Sequence, residues 1–334
     1  CILGVMKKQY KQLSGEERDE IALLRAKGFK IRAIARRLKR NPSTLSRELK
    51  RNKSPTYNVY LAHRAHQRAV QRKHISVQRE RIRDKRIQRY IMKKLKLRWS
   101  PELISNTVPG IIPGTSVSPE AVYQFIYDSP PGKQYNLKQY LVRAHRLRKA
   151  RGYSRKHTKS HIPQRVSIDA RSQKVNKRKQ PGHWESDAIV SHKSKAAIAV
   201  MLERKSRKVR LAKLPAKTSR HFKNALTRRL SRYPEHMRKT ITYDNGSENV
   251  QHMDINNVLG TQSYFCNPFH SWEKGSVENV IGLVRIFLPK STDFATITKE
   301  RLQRVENLIN ERPRKCLGYK TPNEDFASSV ALHC

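Results

Sequence analysis

The sequence predicts a multidomain protein whose N-terminal part is all-α and whose C-terminal part is an α/β domain built on a mixed sheet. Three observations support this prediction. Helical periodicity with start and stop signals recurs through residues 12–127. After Pro181 the pattern changes to short apolar strands separated by basic turns. The chain of 334 residues is also long enough for two or three separate cores.

The balance of charge limits the classes of partner that the protein is expected to bind. The chain has 72 lysine and arginine residues against 26 acidic residues, and its formal net charge is +46. A charge of this size along the whole chain indicates a polyanionic partner, of which nucleic acid is the commonest and a membrane surface the weaker alternative. The sequence shows neither a signal peptide nor an apolar run near the roughly 18 residues that a transmembrane helix needs. We therefore expect a cytoplasmic protein without a membrane partner.

The four cysteines are scattered, without a CxxC pair or a cysteine–histidine cluster. This distribution argues against a zinc finger and against a disulfide scaffold, and it fits a reducing cytosol. Near the N-terminus, Met6 is followed by two lysines, which suggests that natural translation starts at Met6.

Residues 6–55 have the pattern of a domain built from short helices. The first helix begins with a capping box, in which Glu17 follows Ser14 by three residues, and Gly28 provides its stop signal. A second short helix follows. After an Asn-Pro break, Ser43 is predicted to cap a third helix.

The turn between the second and third of these helices is tight, and the third helix is rich in serine, threonine and arginine. This combination predicts a helix-turn-helix that binds DNA. The alternative is a plain helical hairpin with a solvated basic face, which the net charge makes the weaker interpretation. The residues predicted to contact DNA are Ser43, Thr44, Ser46 and Arg47 at base edges, and Lys50 and Arg51 at phosphates.

Three further segments precede the strand-rich region. Residues 56–84 are polar, basic and helix-compatible, and we expect a helical connector there. Residues 85–130 contain two Ser-Pro-Glu helix starts and predict a second helix-turn-helix-like module, with a protein-binding helical module as the alternative. In the DNA-binding interpretation, Tyr123 and Gln124 enter a groove. Residues 131–180 are expected to form a flexible basic linker that lies along phosphates. Within this segment, residues 133–180 include 16 lysine and arginine residues and only one acidic residue.

Residues 181–334 have the pattern of a domain with a central sheet. The stretches "HWESDAIVS", "KAAIAVMLER" and "RKVRLAKLP" are strand candidates separated by short basic turns, which predicts an antiparallel meander. A helix over 218–233 leads to a fourth strand, "KTITYD", predicted to lie parallel to the first. A strand near "SYFCN" and a helix from about 273 to 287 follow. This order of elements is expected of a ribonuclease-H-like α/β fold.

Three acidic residues of this domain are candidates for one site. Asp187 lies in the middle of the first strand, and Asp244 ends the fourth strand, where the right-handed crossover rule places it beside Asp187. Taken alone, Asp244 is more simply a turn residue, because Asp and Asn-Gly favour turns. Glu278 lies on the last helix and shares a face with Arg285.

Three carboxylates from three elements suit hard divalent cations, which prefer oxygen ligands. Two such ions roughly 3.5–4 Å apart stabilise the attacking and leaving oxygens of an in-line phosphoryl transfer. The sequence therefore predicts a two-metal catalytic site for Mg²⁺, with Mn²⁺ as a substitute, whose ligands are Asp187, Asp244 and Glu278.

Other polar residues near these acids have more than one candidate role. Glu185 and Glu248 are possible additional ligands, although a supporting or structural role is the better interpretation for both. Lys274 and Arg285 are predicted contacts to DNA ends, with a solvated face as the alternative for Lys274. Trp184 is expected to have a structural role beside the site.

Long ordered motifs carry a resemblance to a known family. They include "LKRNPSTLSRELKRN", "IPQRVSIDARSQKVNKRKQPGHWESD", "YDNGSEN", "WEKGSVENVIGLVRIFLPKSTD" and "NERPRKCLGYKTPNE". At these motifs, and over nearly the whole chain, the sequence resembles the DDE transposases of bacterial insertion sequences, specifically the IS-thirty family. The 33 residues between Asp244 and Glu278 match the typical spacing of that family.

The resemblance implies a bacterial enzyme of the nucleoid that binds the terminal inverted repeats of its element. It also implies metal-dependent strand cleavage and strand transfer into target DNA, with Asp187, Asp244 and Glu278 as the catalytic triad. A reaction on two DNA ends implies at least a dimer. The alternative from another class is a non-catalytic, sequence-specific DNA-binding regulator, against which the three intact acids argue. A nucleic-acid packaging protein is disfavoured by the apolar strands.

Overall fold

The computed structural model describes residues 12–54, 59–78, 80–142, 162–268 and 270–331. The chain divides into two compact units, residues 1–80 and 81–334. Each unit has its own hydrophobic core. Within the described ranges, no helix is both long and apolar enough to cross a membrane.

The first unit is a small helical domain. Apolar residues of three helices form its core, among them Ile21, Ile34 and Leu45, which are almost inaccessible to solvent. Arg18 of the first helix and Glu48 of the third form a buried ion pair at 2.7 Å, which ties these two helices together. The four helices are α1 (Gly15–Ala26), α2 (Ile31–Arg37), α3 (Pro42–Asn52) and α4 (Ala62–Gln78).

Capping explains where these helices begin, with one difference from the sequence prediction. Ser14 and Glu17 form the predicted capping box at the start of α1. The N-cap of α3, however, is Asn41 and not Ser43, because the Asn41 side chain accepts the Ser43 amide hydrogen bond and a proline occupies the first helical position. Ser43 therefore lies in the first turn of α3, where Arg47 donates to its hydroxyl at 3.3 Å.

The second unit opens with four helices, of which the first three contribute side chains to one core. A serine caps each of three of them and is followed by a proline: the two Ser-Pro-Glu starts begin helices as predicted, and Ser129 begins a third. These helices also contact the C-terminal part of the unit, where Arg312 donates to the Arg98 carbonyl at 2.7 Å and Tyr319 packs on the helical core. They are α5 (Lys85–Lys96), α6 (Pro101–Ile111), α7 (Pro119–Asp128) and α8 (Pro130–Gln134).

The described parts of residues 131–180 are packed, which differs from the flexible linker expected there. Ile162 is buried in a core, and Ser167 forms a parallel bridge with Phe265. Arg171 is buried and donates to the Thr242 hydroxyl at 2.9 Å. One short helix, α9 (Gln173–Asn176), follows. The part of the predicted linker from 143 to 161 lies outside the described residues.

A five-stranded mixed sheet forms the centre of the second unit. Its strands are β1 (His183–Val190), β2 (Ala197–Glu203), β3 (Val209–Leu214), β4 (Thr240–Tyr243) and β5 (Gln262–Phe265). The strand order is β3-β2-β1-β4-β5. The first three strands form the predicted antiparallel meander, and β4 pairs in parallel with both β1 and β5.

Helices cover both faces of this sheet. One core, which includes Trp184 and Phe265, lies under three helices; the other, which includes Val200 and Val277, lies under two. Because side chains alternate along β1, Trp184 faces the first core, while Glu185 and Asp187 face the second. The first three helices are α10 (Ser219–Leu230), α11 (His252–Leu259) and α14 (Pro322–Ala331), and the other two are α12 (Gly275–Phe287) and α13 (Lys299–Asn310).

Candidate active site

The register of β1 and β4 brings two of the predicted acids together. The parallel pairing ends with Glu185 opposite Thr242. The same offset places Asp187 opposite Asp244, which directly follows β4. Both carboxylates therefore lie at the end of the sheet where the two strands separate, as the crossover argument predicts.

A third carboxylate joins them. Asp187, Asp244 and Glu248 each offer an oxygen atom, and these atoms all lie within 4.8 Å of one another. The two aspartates are partly buried, and Glu248 is buried. Each aspartate uses its Oδ1 locally: Asp187 accepts from the Ala188 amide at 2.7 Å, and Asp244 accepts from the Asn249 side chain at 2.8 Å. The Oδ2 atoms are left to face the site.

Lys274 lies between these two Oδ2 atoms. Its ammonium is 3.1 Å from Asp187 Oδ2 and 3.7 Å from Asp244 Oδ2, and it donates to the Ser186 carbonyl at 3.2 Å. Burial by itself lowers the pKa of Lys274, but the two aspartates outweigh burial and the pKa is raised. The lysine predicted to contact DNA ends is therefore a charged, buried part of the acidic site.

Glu248 belongs to a short turn that folds back on the end of β4. Its carboxylate lies directly over Gly246, where an added Cβ would come within 2.4 Å of Glu248 Oε2. Lys217 approaches the other oxygen, Oε1, at 2.9 Å. The sequence favours a supporting role for Glu248. Its spacing of four residues from Asp244, across a glycine turn, is the signal that favours closer contact.

Glu278 lies apart from this three-carboxylate cluster. It occupies the first turn of α12 and is exposed to solvent. Lys274, four residues earlier, is the N-cap of the same helix. The start of α12 is therefore fixed at the two aspartates, and Glu278 is one helical turn from that point of contact.

Glu185 anchors α12 instead of joining the cluster. This fully buried carboxylate accepts the Val277 amide in the first turn of α12 at 2.9 Å and pairs with Arg204 at 3.0 Å. Burial, together with the neighbouring Arg171, lowers the pKa of Arg204 to about 10. The arrangement agrees with the structural role preferred for Glu185, and it links β1 to the helix that carries Lys274.

The remaining predicted residues fall into two groups. On α3, the side chains of Ser43, Ser46, Arg47, Lys50 and Arg51 are exposed and Thr44 is partly buried, so this helix presents a polar, basic face. Tyr123 on α7 is exposed, and Gln124 is partly buried. Arg285 is partly buried and donates to the Val190 carbonyl at 2.9 Å, at the end of β1. Trp184 is buried and donates to the Met237 carbonyl at 2.8 Å, as its structural role predicts.

Two domain families match the chain. A helix-turn-helix domain matches residues 9–52, and an integrase core domain matches residues 177–271. With the ribonuclease-H-like sheet and its clustered acids, these matches define a DNA transposase with a DDE-type integrase core.

Three relatives match along nearly the whole chain. The chain is 36% identical over 333 residues to the transposase for insertion sequence element IS1086 of Cupriavidus metallidurans, covering 97% of this chain and 96% of that protein. It is 35% identical over 334 residues to transposase InsI for insertion sequence element IS30A of Escherichia coli, covering 98% and 86%. It is 35% identical to the transposase for IS4351 of Bacteroides fragilis, covering 96% and 97%. The chain belongs to the IS-thirty (IS30) family of insertion-sequence transposases.

One solved structure aligns with part of the chain. The catalytic core domain of BIV integrase aligns with a TM-score of 0.38 and 20% sequence identity, covering 46% of this chain and 97% of that chain.

The DDE-type integrase core depends on a divalent metal ion. The acidic residues at this site have the chemistry needed to bind such an ion. The cluster offers only carboxylate oxygens, the ligands that hard divalent cations prefer. Glu248 Oε2 is buried without a hydrogen-bond partner among the described residues, as expected of an oxygen kept for a cation.

Proposed function

We propose that this transposase binds the terminal inverted repeats of its insertion sequence and catalyses strand cleavage and strand transfer with Asp187, Asp244 and Glu278 as catalytic residues. The observation that carries the proposal is the position of Asp187 and Asp244 at adjoining strand ends, with their Oδ2 atoms facing one site. Glu278 is included because its helix begins at the lysine that contacts both aspartates and because its spacing from Asp244 matches the family.

We further propose that two Mg²⁺ ions bind these carboxylates, with Mn²⁺ as a substitute. Bound there, they would supply charge stabilisation for the attacking and leaving oxygens of the phosphoryl transfer. The chain's own contribution is to hold the oxygens: β1 and β4 fix the two aspartates, and Glu185 fixes the start of α12. We assign Glu248 a supporting role beside the ions: Lys217 pairs with its Oε1, and its Oε2 has no hydrogen-bond partner among the described residues.

The test compares four variants on DNA that carries the ends of the element. Asp187→Asn, Asp244→Asn and Glu278→Gln are expected to lower Mg²⁺-dependent cleavage at least about 100-fold, because the loss of a ligand misplaces an ion whose stabilisation is worth several kcal/mol. End binding in a mobility-shift assay should stay within about twofold of the wild type, since the helix-turn-helix is untouched.

The matched variant is Glu248→Gln, which removes a neighbouring carboxylate and should lower cleavage less than about tenfold. If Glu278→Gln is fully active and Glu248→Gln is severely defective, the third ligand is Glu248 and not Glu278. Loss of end binding in all four variants would instead point to a folding defect.

We propose that α3 reads the inverted repeat, because its exposed face combines Ser43, Ser46 and Arg47 with Lys50 and Arg51 at its C-terminal end. If Arg47 contacts a guanine, Arg47→Ala should reduce the difference in binding free energy between the inverted repeat and random DNA by roughly 1–3 kcal/mol. Arg32→Ala, which removes an exposed arginine of α2, is the control. An unchanged specificity ratio for Arg47→Ala would move base recognition elsewhere, for example to Tyr123 and Gln124.

We propose that the active species is at least a dimer on DNA and that it works at the bacterial nucleoid, because two ends of one element have to react together. Sedimentation of the protein with end DNA, at a ratio of one end per chain, should give a complex that contains two chains and two ends. A complex of one chain and one end, active in strand transfer at the same concentration, would contradict this assembly.

A further inference from the structure

The side chain of Lys274 has an unusual position for a cation of a DNA-binding protein. Its relative exposure is only 9%, and its ammonium contacts the Oδ2 atoms of Asp187 and Asp244 and the Ser186 carbonyl. The same two Oδ2 atoms are the ones that the local hydrogen bonds of the aspartates leave unused. The ammonium therefore lies between the two carboxylates that would hold a divalent ion.

We propose that Lys274 is a built-in counter-ion that competes with the catalytic metal for Asp187 and Asp244. Its ammonium holds the two carboxylates together before metal binds, and it has to leave them when a divalent ion takes its place. This inference rests on the proposed metal site, and it adds a residue that sets the affinity of that site.

The charges of the site support competition. The carboxylates of Asp187, Asp244 and Glu248 carry three negative charges, and Lys217 and Lys274 offset two of them. Before metal binds, the three carboxylates and the two lysines together have a net charge of −1. Two divalent ions would add four positive charges to this cluster. Like charges about 4 Å apart repel by several kcal/mol near a protein surface, so metal and ammonium are not expected to occupy the same oxygens together.

The geometry allows the ammonium to leave without a change of fold. Lys274 is the N-cap of α12, and the start of this helix is held separately by Glu185, which accepts the Val277 amide. Movement of the ammonium away from the aspartates is then a rotamer change of the flexible lysine side chain, which the anchoring of α12 by Glu185 does not oppose. The backbone and the first turn of α12 need not move.

The first experiment measures Mn²⁺ binding by calorimetry on the full chain without DNA. Lys274→Met keeps the length of the side chain and removes its charge, and it should bind Mn²⁺ at least about tenfold more tightly than the wild type. Lys290→Met is the matched control, because Lys290 is exposed just beyond the other end of α12 and should leave the affinity within about twofold. Equal or weaker binding by Lys274→Met overturns the inference.

The outcome also separates this inference from the proposed metal site. If Asp187→Asn abolishes Mn²⁺ binding while Lys274→Met binds like the wild type, the metal site stands and the competition is refuted. If neither the wild type nor Lys274→Met binds Mn²⁺ in a manner that depends on Asp187, the metal assignment is wrong and the inference fails with it.

A second experiment uses the wild type alone and does not depend on the folding of a variant. Acetylation of lysines by a water-soluble ester, read by mass spectrometry, should be slow at Lys274 without metal, because its ammonium is buried. Saturating Mn²⁺ should speed labelling of Lys274 severalfold and leave the exposed Lys290 unchanged. Slower or unchanged labelling of Lys274 with metal overturns the inference.

Discussion

At the scale of single residues, position 246 requires a glycine because the Glu248 carboxylate lies close to it, and not because of its backbone conformation. Its φ of −74° and ψ of 147° suit any residue. A Cβ at this position would, however, lie 2.4 Å from Glu248 Oε2 and 2.7 Å from the carboxyl carbon. Because Glu248 is itself buried, its carboxylate has little room to retreat. The glycine therefore allows Glu248 to lie over the turn that carries Asp244.

Gly246→Ala should lower the free energy of unfolding by about 1–3 kcal/mol, because the added methyl overpacks this turn. Gly282→Ala is the matched control: this glycine lies on the exposed side of α12 with nothing within 4 Å of an added Cβ. The control should raise stability by about 0.5–1 kcal/mol through helix propensity. Urea unfolding measures both changes. An unchanged free energy of unfolding in Gly246→Ala would show that the Glu248 side chain moves away freely.

His183 predicts a pH dependence of stability. Burial, followed by the charges of Lys239, Arg204 and Arg171, lowers the pKa of His183 to about 4. In the unfolded chain the pKa is about 6.5, so between these two values the unfolded state binds more protons than the folded state. The contribution of His183 to stability is therefore complete above pH 6.5 and is lost as the pH falls through 6.5 towards 4.

Between pH 7.5 and pH 5, wild-type stability should fall by about 1–2 kcal/mol more than that of His183→Gln, which has no proton to gain. Denaturant unfolding at the two pH values, followed by tryptophan fluorescence, gives this difference. His192→Gln, at an exposed histidine, should keep the wild-type dependence. A wild type and a His183→Gln variant with equal pH dependence would contradict a neutral His183 in the folded state.

The residues of the site differ in how far sequence reasoning could place them. Asp187 and Asp244 were predictable, because strand ends and the crossover rule fix their neighbourhood. The position of Lys274 was not, since a lysine before a helix is normally solvated and only the tertiary contact with two aspartates buries it. The approach of Glu248 over Gly246 was not predictable either, because it is a short-range steric contact that no sequence periodicity records.

At the scale of elements, α13 closes the open edge of the sheet. Strand β3 is an edge strand, and its outward backbone groups would otherwise be unpaired. The Asn310 side chain donates to the Val209 carbonyl at 2.9 Å and accepts from the Val209 amide at 2.8 Å, like a neighbouring strand. Glu306 accepts the Leu211 amide at 2.7 Å and pairs with Arg210. These buried side chains join helix and edge.

Asn310→Ala should lower the free energy of unfolding by about 2–4 kcal/mol, because it leaves two buried backbone groups of Val209 without partners. It should also promote self-association, since an unpaired edge accepts another strand. Asn307→Ala, at an exposed position of the same helix, should cost less than about 0.5 kcal/mol. Denaturant unfolding and light scattering measure these effects, and equal stability of the two variants would contradict the edge-closing role of α13.

The order of elements was predictable, whereas the packing of the basic segment was not. Alternating and continuous apolar runs identify β1 to β3, and the Ser-Pro-Glu starts identify α6 and α7. In residues 131–180, burial depends instead on widely spaced positions such as Ile162 and on Arg171, whose charge is accommodated by hydrogen bonds to Thr242 and Asn176. A buried arginine has the same local pattern as a solvated one.

At the scale of the whole molecule, the proposed base recognition and the expected general attraction to DNA involve different parts of the chain. Base recognition is proposed for one face of α3, a small part of the protein, whereas the net charge of +46 is spread over the entire chain. Each phosphate that a cation neutralises releases condensed counter-ions, which favours binding to any DNA sequence. Salt should therefore weaken binding to end DNA and to random DNA with nearly the same slope.

The basic segment offers a direct test, because Arg146, Arg148, Lys149 and Arg151 lie in its most cationic part, outside the described residues. On duplex DNA, log affinity falls against log salt with a slope of about −0.9 per phosphate contacted. Replacing these four cations with glutamine should flatten the slope by up to roughly 3–4 units. Because no base contact is lost, affinity for end DNA and for scrambled DNA should fall equally in paired salt titrations. An unchanged slope would mean that the segment does not touch DNA, and a loss confined to end DNA would make it part of the specific interface.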